Sequence, residues 1–286
     1  MKGLILLGGF GSRLSPITVS VNKHLLPLFD KPIYYYPLST LMLMGIQEIG
    51  IVSTPETLAL VKKNLGDGSR LGCEFNYIVQ RIPKGIPNGV LKAKNFLKDS
   101  NFTLILGDNF FYGVGLGQSL RNSAFVGGAK IYGHVVANPS DYGVIEIKNK
   151  KILKIIEKPS KPLSNIAITG LYHFDSQALD YIKELKPNML RKEFDIVDLL
   201  NIYKKRNTLG FELLPRGTVW LDTGTSNSLL EASNFVKVIE ERQDLKIGCI
   251  EEIALRNKWI DNSEIAGYIK NSSFNAYYDY LKKLIN

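Results

Sequence analysis

Gly3-Leu4-Ile5-Leu6-Leu7-Gly8-Gly9-Phe10-Gly11-Ser12-Arg13-Leu14 lies at the start of the chain, and its reading decides the fold. Leu4 to Leu7 is an apolar run too short for a helix, which predicts a buried strand. Three glycines, Gly8, Gly9 and Gly11, follow it, then Ser12 and Arg13. Lacking a Cβ, glycine takes positive φ and lets backbone N–H groups approach an anion closely. Arg13 adds a permanently charged, forked donor suited to phosphate oxygens. A strand, a glycine turn and an arginine together describe a phosphate cradle. The dinucleotide-binding fingerprint does not fit, because Leu14 stands where its third glycine belongs. The P-loop pattern fails as well, since no Gly-Lys-Ser/Thr follows.

Around this turn the chain has 286 residues, enough for one large α/β domain or a domain with an appendage. Hydrophobic residues make up 45% and charged residues 22%, as in ordinary soluble globular proteins. The formal charge of +9 fits either acidic ligands or a lysine-rich solvated surface. The basic residues are scattered and carry no helix-turn-helix, zinc-finger or ribonucleoprotein pattern, so no nucleic-acid partner is expected. Cys73 and Cys249 are the only cysteines, which points to reduced thiols rather than a disulfide framework or a zinc site. No run approaches the ~18 apolar residues of a membrane span. The amino-terminal apolar stretch breaks at Gly8 and Gly9, too early for a signal core. A cytoplasmic protein that does not enter the membrane is the expectation.

Downstream, Ile33 to Gly45 reads as a buried helix with Pro37 in or before its first turn, where a missing N–H costs little. Glu48 to Ser53, Phe75 to Gln80 and Phe102 to Leu106 read as further buried strands. An exposed helix starts at Thr54-Pro55-Glu56, and another is expected from Val90 to Leu97 after a turn-rich loop, Arg81 to Gly89. Strands alternating with helices imply βαβ units and a mostly parallel sheet. From Ala129 to Phe174 the pattern turns to short β-rich runs, an inserted or extended sheet region with hairpins. Helices around Gln177–Leu185 and Asp195–Asn207, a strand at Glu212–Pro215 and the segment Val219 to Thr225 follow. Ser226 to Arg242 is an amphipathic helix with Leu229, Leu230, Ala232, Phe235 and Ile239 as its apolar stripe. Small helices rich in tyrosine and lysine end the chain.

Ligands of parallel sheets collect beyond the carboxyl ends of the strands. Two acids stand at such ends, Asp108 in LGDN and Asp222 in WLDTG. If their strands are neighbours, both carboxylates face the glycine turn and are suited to share Mg²⁺, a hard cation that combines one or two carboxylates with substrate phosphates. The bland alternative is that each acid makes an Asx-turn after a strand. Lys23 precedes Leu25-Leu26-Pro27, which should hold its backbone rigid near the glycine loop; Lys158 lies in Glu157-Lys158-Pro159. His24 reads as a satisfied loop or core histidine rather than a base.

Taken together, LLGGFGSRLSPIT, NKHLLPLFDKPIYYYPLSTLMLMGI, LGDGSRLG, LGDNFFYG, YGVIE, EKP, TGLYHFD, WLDTGT and LLEASNFV resemble the glucose-1-phosphate thymidylyltransferases of the sugar-nucleotidyltransferase family. The resemblance runs nearly end to end. It implies a Rossmann-like mixed, mostly parallel sheet flanked by helices, an extra β-rich sugar-binding region and a small helical carboxyl-terminal extension. The implied division is a nucleotidyltransferase domain over 1–242, with a nucleotide-binding part to about 128 and a sugar-binding part from about 129 to 225, followed by an extension over 243–286.

The implied reaction is direct attack of the phosphate oxygen of glucose 1-phosphate on the α-phosphorus of dTTP, with Mg²⁺, giving dTDP-glucose and pyrophosphate. This is an early step toward deoxysugars for surface polysaccharide. By the same resemblance, Leu6, Gly8, Gly9, Gly11, Ser12, Arg13, Gln80, Gly85 and Asp108 bind the nucleotide, with Arg13, Lys23 and Asp108 catalytic. Asp108 and Asp222 hold the metal. Gly143, Glu157, Lys158, Tyr172 and Arg191 bind the sugar phosphate. A homotetramer is implied too, with a second nucleotide site for feedback near Tyr112, Gly113, Gly115, Arg216, Glu251 and Arg256.

Some positions depart from the family pattern. His24 replaces a glutamine, Val114 a common histidine, and Phe194-Asp195-Ile196-Val197 a Leu-Glu-Ile-Thr. Lys84-Gly85-Ile86-Pro87-Asn88-Gly89 stands for Asp-Gly-Leu-Ala-Gln-Ala, so Pro87 removes a backbone donor and Asn88 is a methylene shorter. These changes border the base and sugar pockets, and leave open a UTP-using or other sugar-1-phosphate enzyme, or a non-catalytic nucleotide-sugar-binding regulator.

Overall fold

A computed structural model describes every residue except Phe10, 124–126, Lys150, Leu190, Arg191 and 271–274. The opening apolar run forms β1 (Lys2–Leu6), and β2 (Glu48–Ser53), β3 (Glu74–Val79) and β4 (Phe102–Leu106) follow at the expected places. These four run parallel in the order β4-β1-β2-β3. The apolar runs of β1, β2 and β4 suit strands covered on both faces, while β3, at the sheet's edge, is largely half-buried. Helix α1 (Tyr35–Leu43), with Pro37 in its first turn, and helix α2 (Pro55–Leu65) are the crossovers, and Thr54 caps α2 by accepting from the Thr57 N–H.

The third helix, α3 (Ile86–Lys92), begins four residues before its expected start at Val90. Gly85 turns the chain at φ +88, which a side chain rarely adopts. Pro87 then falls in the first turn, where its absent N–H is no loss. Beyond β4, β5 (Asn109–Tyr112) is a four-residue strand not foreseen in the sequence, and α4 (Leu116–Asn122) follows it.

The β-rich stretch supplies β6 (Ala129–Val135), β7 (Gly143–Lys148), β8 (Lys151–Glu157) and β9 (Ile166–Phe174). It extends the central sheet rather than forming another, because β9 pairs antiparallel with β4 through Leu171–Phe174 and meets β7 at Ala167. Helices α5 (Ala178–Glu184) and α6 (Ile196–Lys205) lead to β10 (Leu209–Leu213), which lies parallel to β6. The expected strand at Glu212–Pro215 is thus displaced: pairing with β6 recruits Leu209 to Phe211, and Pro215 has no N–H for a ladder. Among the described residues, nine strands make up this sheet. The short β5 instead pairs antiparallel with β11 (Val219–Asp222) as a separate ribbon, setting Asn109 opposite Asp222.

Helix α7 (Ser226–Gln243) packs through Ala232 and Val236; Leu230, placed on the apolar stripe by its spacing, is 62% exposed. Its buried Glu240 anchors the helix by pairing with the equally buried Lys31 at 3.0 Å and with Lys246 at 2.6 Å. The chain ends in α8 (Ile250–Arg256), α9 (Asn262–Lys270) and α10 (Ala276–Ile285). Ile250, Ile253, Ile265 and Leu281 from these helices share one hydrophobic cluster with Ile5 of β1 and Leu41 of α1. No helix among the described residues is long and apolar enough to cross a membrane.

Because Leu281 is fully buried in that shared cluster, Leu281→Ala should cost about 2–5 kcal/mol. Denaturant unfolding should still show a single transition. An early, separate loss of helix signal would show instead that the terminal helices fold apart from the sheet.

Candidate active site

The carboxyl ends of β1, β3 and β4 open onto a cavity of about 200 Å³ lined by Leu6, Gly8, Gly9, Lys23, His24, Gln80, Pro83, Gly85, Ile86, Leu106, Asp108 and Glu193. Seven of the expected residues therefore meet on one wall: Leu6, Gly8, Gly9, Lys23, Gln80, Gly85 and Asp108. Gly9 and Gly11 lie at φ +99 and +60, as the close approach of an anion requires. Gly11 is held by the Thr18 hydroxyl, which donates to its carbonyl at 2.8 Å. Gly85 has no room for a side chain, because a Cβ there would stand 2.0 Å from the Phe194 carbonyl oxygen. Gln80 is buried and its amide donates to Asn88 Oδ1 at 2.9 Å.

Charge is arranged in order across this opening. Lys23 Nζ is ion-paired with Asp108 Oδ2, and Arg13 reaches Asp222 Oδ2 at 3.8 Å. The charge of Asp108 is felt at Asp222, so the two acids are neighbours; Lys23 acts on both and Arg13 on Asp222. Burial opposes the charge on Asp108, but Lys23, His24 and a hydrogen bond from Asn109 outweigh it and hold the carboxyl well below the usual range. Asp222 moves the other way: burial, then the charge of Asp108, push it up to about 6 against the pull of Lys23 and Arg13. Its Oδ1 is buried with no hydrogen-bond partner. Two adjoining carboxylates with a buried oxygen unsatisfied are a donor set suited to a divalent cation that completes its shell with phosphate oxygens and water. His24 sits in the cavity wall as a neutral ring; burial and then Lys23 lower it to about 3, and its Nδ1 lies 2.7 Å from Asn22 Oδ1.

A second cavity, about 210 Å³, adjoins the first and shares Gly85, Ile86 and Glu193 with it. Glu157, Lys158 and Asp195 supply its other charges. Lys158 stands at φ +44, a left-handed backbone uncommon outside glycine, of the kind that clusters at ligand-binding positions. Its N–H donates to the Tyr142 carbonyl at 3.0 Å, closing the turn after β8. Gly143 faces Glu157, whose Oε2 would be 3.2 Å from a Cβ there. Tyr172 lies behind this wall, buried and stacked on Phe174 with ring centroids 6.0 Å apart; burial, then the charges of Glu157, Asp195 and Asp108, push its hydroxyl up. Arg191 lies outside the described residues.

A third cavity, about 360 Å³, lies at the far end of the β5–β11 ribbon and includes Tyr112, Gly113, Glu252 and Arg256. Gly115 and Arg216 are not in its wall. Glu251 turns inward, accepting from Arg70 at 2.8 Å and from the Tyr277 hydroxyl at 2.5 Å, while its neighbour Glu252 faces the cavity and pairs with Arg256 at 2.7 Å.

Sequence reasoning passed over several residues. Asn109 is buried and bonds three partners: its Oδ1 accepts from Trp220 Nε1 at 2.6 Å and from the Gly170 N–H at 3.0 Å, and its Nδ2 donates to Asp108 Oδ1 at 3.0 Å. Thr223 and Glu193 were missed likewise. The one signal for Asn109 and Thr223 was adjacency to the two acids.

A sheet whose strand ends carry a glycine nest, flanking cations and a cation-ready acid pair defines an enzyme that handles nucleoside phosphates. Residues 2–238 match the family model described as nucleotidyl transferase, and the chain belongs to that family. Curated relatives named glucose-1-phosphate thymidylyltransferase are 44% identical in Mycolicibacterium smegmatis, across 100% of this chain and 99% of the relative, and 46% identical in Xanthomonas campestris, across 99% and 96%. A Bacillus anthracis structure described as a candidate glucose-1-phosphate thymidylyltransferase in complex with a sucrose matches with a TM-score of 0.76 at 39% identity. It covers 82% of this chain and 94% of that one. A UDP-glucose pyrophosphorylase complexed with UDP-glucose matches at 0.72 and 25% identity, covering 83% and 98%.

The raised Asp222 carboxyl has a consequence for stability. Its folded value, about 6, exceeds its ordinary 3.8, so its stabilising contribution is complete below that ordinary value and is lost as pH rises through about 6. Without divalent cations, wild type should therefore lose more stability than Asp222→Asn between about pH 4 and pH 7. Equal pH slopes in denaturant unfolding would contradict this.

Proposed function

We propose that this chain catalyses the glucose-1-phosphate thymidylyltransferase reaction: dTMP passes from dTTP to glucose 1-phosphate, giving dTDP-glucose and pyrophosphate. The observation that carries the reading is the acid pair: Asp108, in the wall of the glycine-lined cavity and ion-paired with Lys23, and its neighbour Asp222, 3.8 Å from Arg13. A phosphate oxygen of the sugar attacks the α-phosphorus, and the bond from that phosphorus to the β-phosphate oxygen breaks opposite it. Catalysis of this kind depends on alignment and on offsetting charge.

In this reading the N–H groups of Gly8, Gly9, Gly11 and Ser12 cradle the triphosphate, and Arg13 and Lys23 neutralise the departing pyrophosphate. Arg13, with 55% of its side chain exposed, is free to move onto the phosphates. Asp108 and Asp222 would hold Mg²⁺, which supplies positive charge at the phosphoryl oxygens when bound. Leu6, Gln80 and Gly85 form the base and ribose wall. In the adjoining cavity Lys158 takes the sugar phosphate, and Gly143 and Glu157 bind sugar hydroxyls. Tyr172 acts from beneath them, and Arg191 is assigned to a phosphate. A homotetramer of such chains, with feedback by a nucleotide in the Tyr112–Arg256 cavity, belongs to the same proposal, with Glu252 in the place expected for Glu251.

Two observations keep UTP in view as the donor: the Lys84–Gly89 segment beside Gln80, and the likeness to a UDP-glucose enzyme. Pyrophosphate release from dTTP or UTP with glucose 1-phosphate and Mg²⁺ decides between them. The proposal expects dTTP to be the better substrate, and faster turnover of UTP would overturn it. Asp108→Asn and Asp222→Asn should each lower kcat by about 10²–10³. Lys158→Ala should act mainly through KM for the sugar phosphate, and an unchanged KM would remove Lys158 from that role.

A further inference from the structure

Asp108 lies in the two-residue step between β4 and β5, outside both strands. The β5–β11 ladder ends with Asn109 opposite Asp222, so the ladder itself does not hold Asp108. Thr223, the residue after Asp222, does. Its N–H donates to the Asp108 carbonyl at 3.1 Å and its Oγ1 donates to the same oxygen at 3.0 Å. Thr223 has no exposed surface, so no water competes for these bonds. One residue thereby engages both lone pairs of that carbonyl.

We propose that Thr223 is a positioning residue that sets the separation of the Asp108 and Asp222 carboxylates, so that the pair is at cation spacing before the metal arrives. The proposal rests on the reading of these acids as metal ligands. Two like charges repel, and in a water-poor site the repulsion is screened little. The β5–β11 ladder ends short of Asp108, and the two hydrogen bonds from Thr223 hold the Asp108 carbonyl against the repulsion.

Rotation of the Asp108 carboxylate is fixed separately. Trp220 Nε1 and the Gly170 N–H can only donate, so they oblige Asn109 to present its oxygen to them and its NH₂ to Asp108. Thr223 thus governs distance and Asn109 orientation. The role is also distinct from capping: Thr225, not Thr223, caps α7.

The test is Mn²⁺ binding, followed by electron paramagnetic resonance of the free ion with dTDP-glucose present. Thr223→Val keeps the shape and the N–H but removes the hydroxyl donor, and Thr223→Ser restores it. Thr223→Val should weaken Mn²⁺ about tenfold, the lower end of what outer partners of metal ligands contribute, and Thr223→Ser should bind as wild type does. Binding of dTDP-glucose in EDTA, read by tryptophan fluorescence, should be unchanged in both, which a general loosening of the fold would not allow. If Thr223→Val does not fold, Thr223→Ala is read in the same titration with the same expectation. Wild-type Mn²⁺ affinity in the hydroxyl-free variant overturns the role of Thr223, provided Asp222→Asn abolishes binding. If Asp222→Asn leaves Mn²⁺ affinity unaltered, the assignment of the acids as metal ligands fails, and the inference falls with it.

Discussion

Repulsion between Asp108 and Asp222 is the constraint on which the site depends. They come from separate parts of the chain, and the antiparallel pairing of β5 with β11, continued by the Thr223 bonds to the Asp108 carbonyl, brings them together. The fold tolerates this because Lys23, ion-paired with Asp108, also offsets the charge of Asp222, and Arg13 lies 3.8 Å from Asp222. The balance is uneven. Asp108 has the tighter pair and remains ionised, while Asp222 sits at 3.8 Å from its arginine with one buried oxygen unpartnered. The remaining need is for positive charge between the acids.

The rest of the architecture shapes two adjoining cavities. The parallel strands end together, so that the turn after β1, the end of β3 and the step after β4 share one cavity wall. The antiparallel extension through β7, β8 and β9 puts Lys158 and Glu157 beside a second cavity, with Gly85, Ile86 and Glu193 common to both. Molecules in the two cavities would meet along the wall the cavities share, at Gly85, Ile86 and Glu193. Contact between the Lys84–Gly85 turn and the Phe194 segment, with the Phe194 N–H donating to the Lys84 carbonyl at 2.9 Å, ties the two cavities mechanically. Substitutions in either segment therefore act on both pockets.

Much of this was legible in the sequence, for identifiable reasons. β1, β2 and β4 read correctly because strands buried on both faces are unbroken apolar runs. Glycines announce a turn irrespective of context, so the turn after β1, with Gly9 and Gly11 at positive φ, was visible before any fold was known. β5 was not legible: four residues carry too little periodicity, and its existence depends on a partner more than a hundred positions away. Leu230 and Val236 exchanged places because helical spacing locates an apolar stripe but not its edges. Glu251 and Glu252 are equivalent as text, and their partners separate them, Arg70 and Tyr277 inside for Glu251 and Arg256 for Glu252. Asn109 and Thr223 were invisible for the same reason, since what they do is defined by the atoms they bond across the β5–β11 junction.

The central claim is that a divalent cation belongs between the two aspartates. Diffraction from crystals grown with Mn²⁺ and dTDP-glucose, with data collected near the manganese edge, tests it most directly. The account predicts one strong anomalous peak within bonding distance of both Asp108 and Asp222 and of a phosphate oxygen of the ligand. An ordered nucleotide sugar with manganese elsewhere, or with the two carboxylates turned apart, would contradict it.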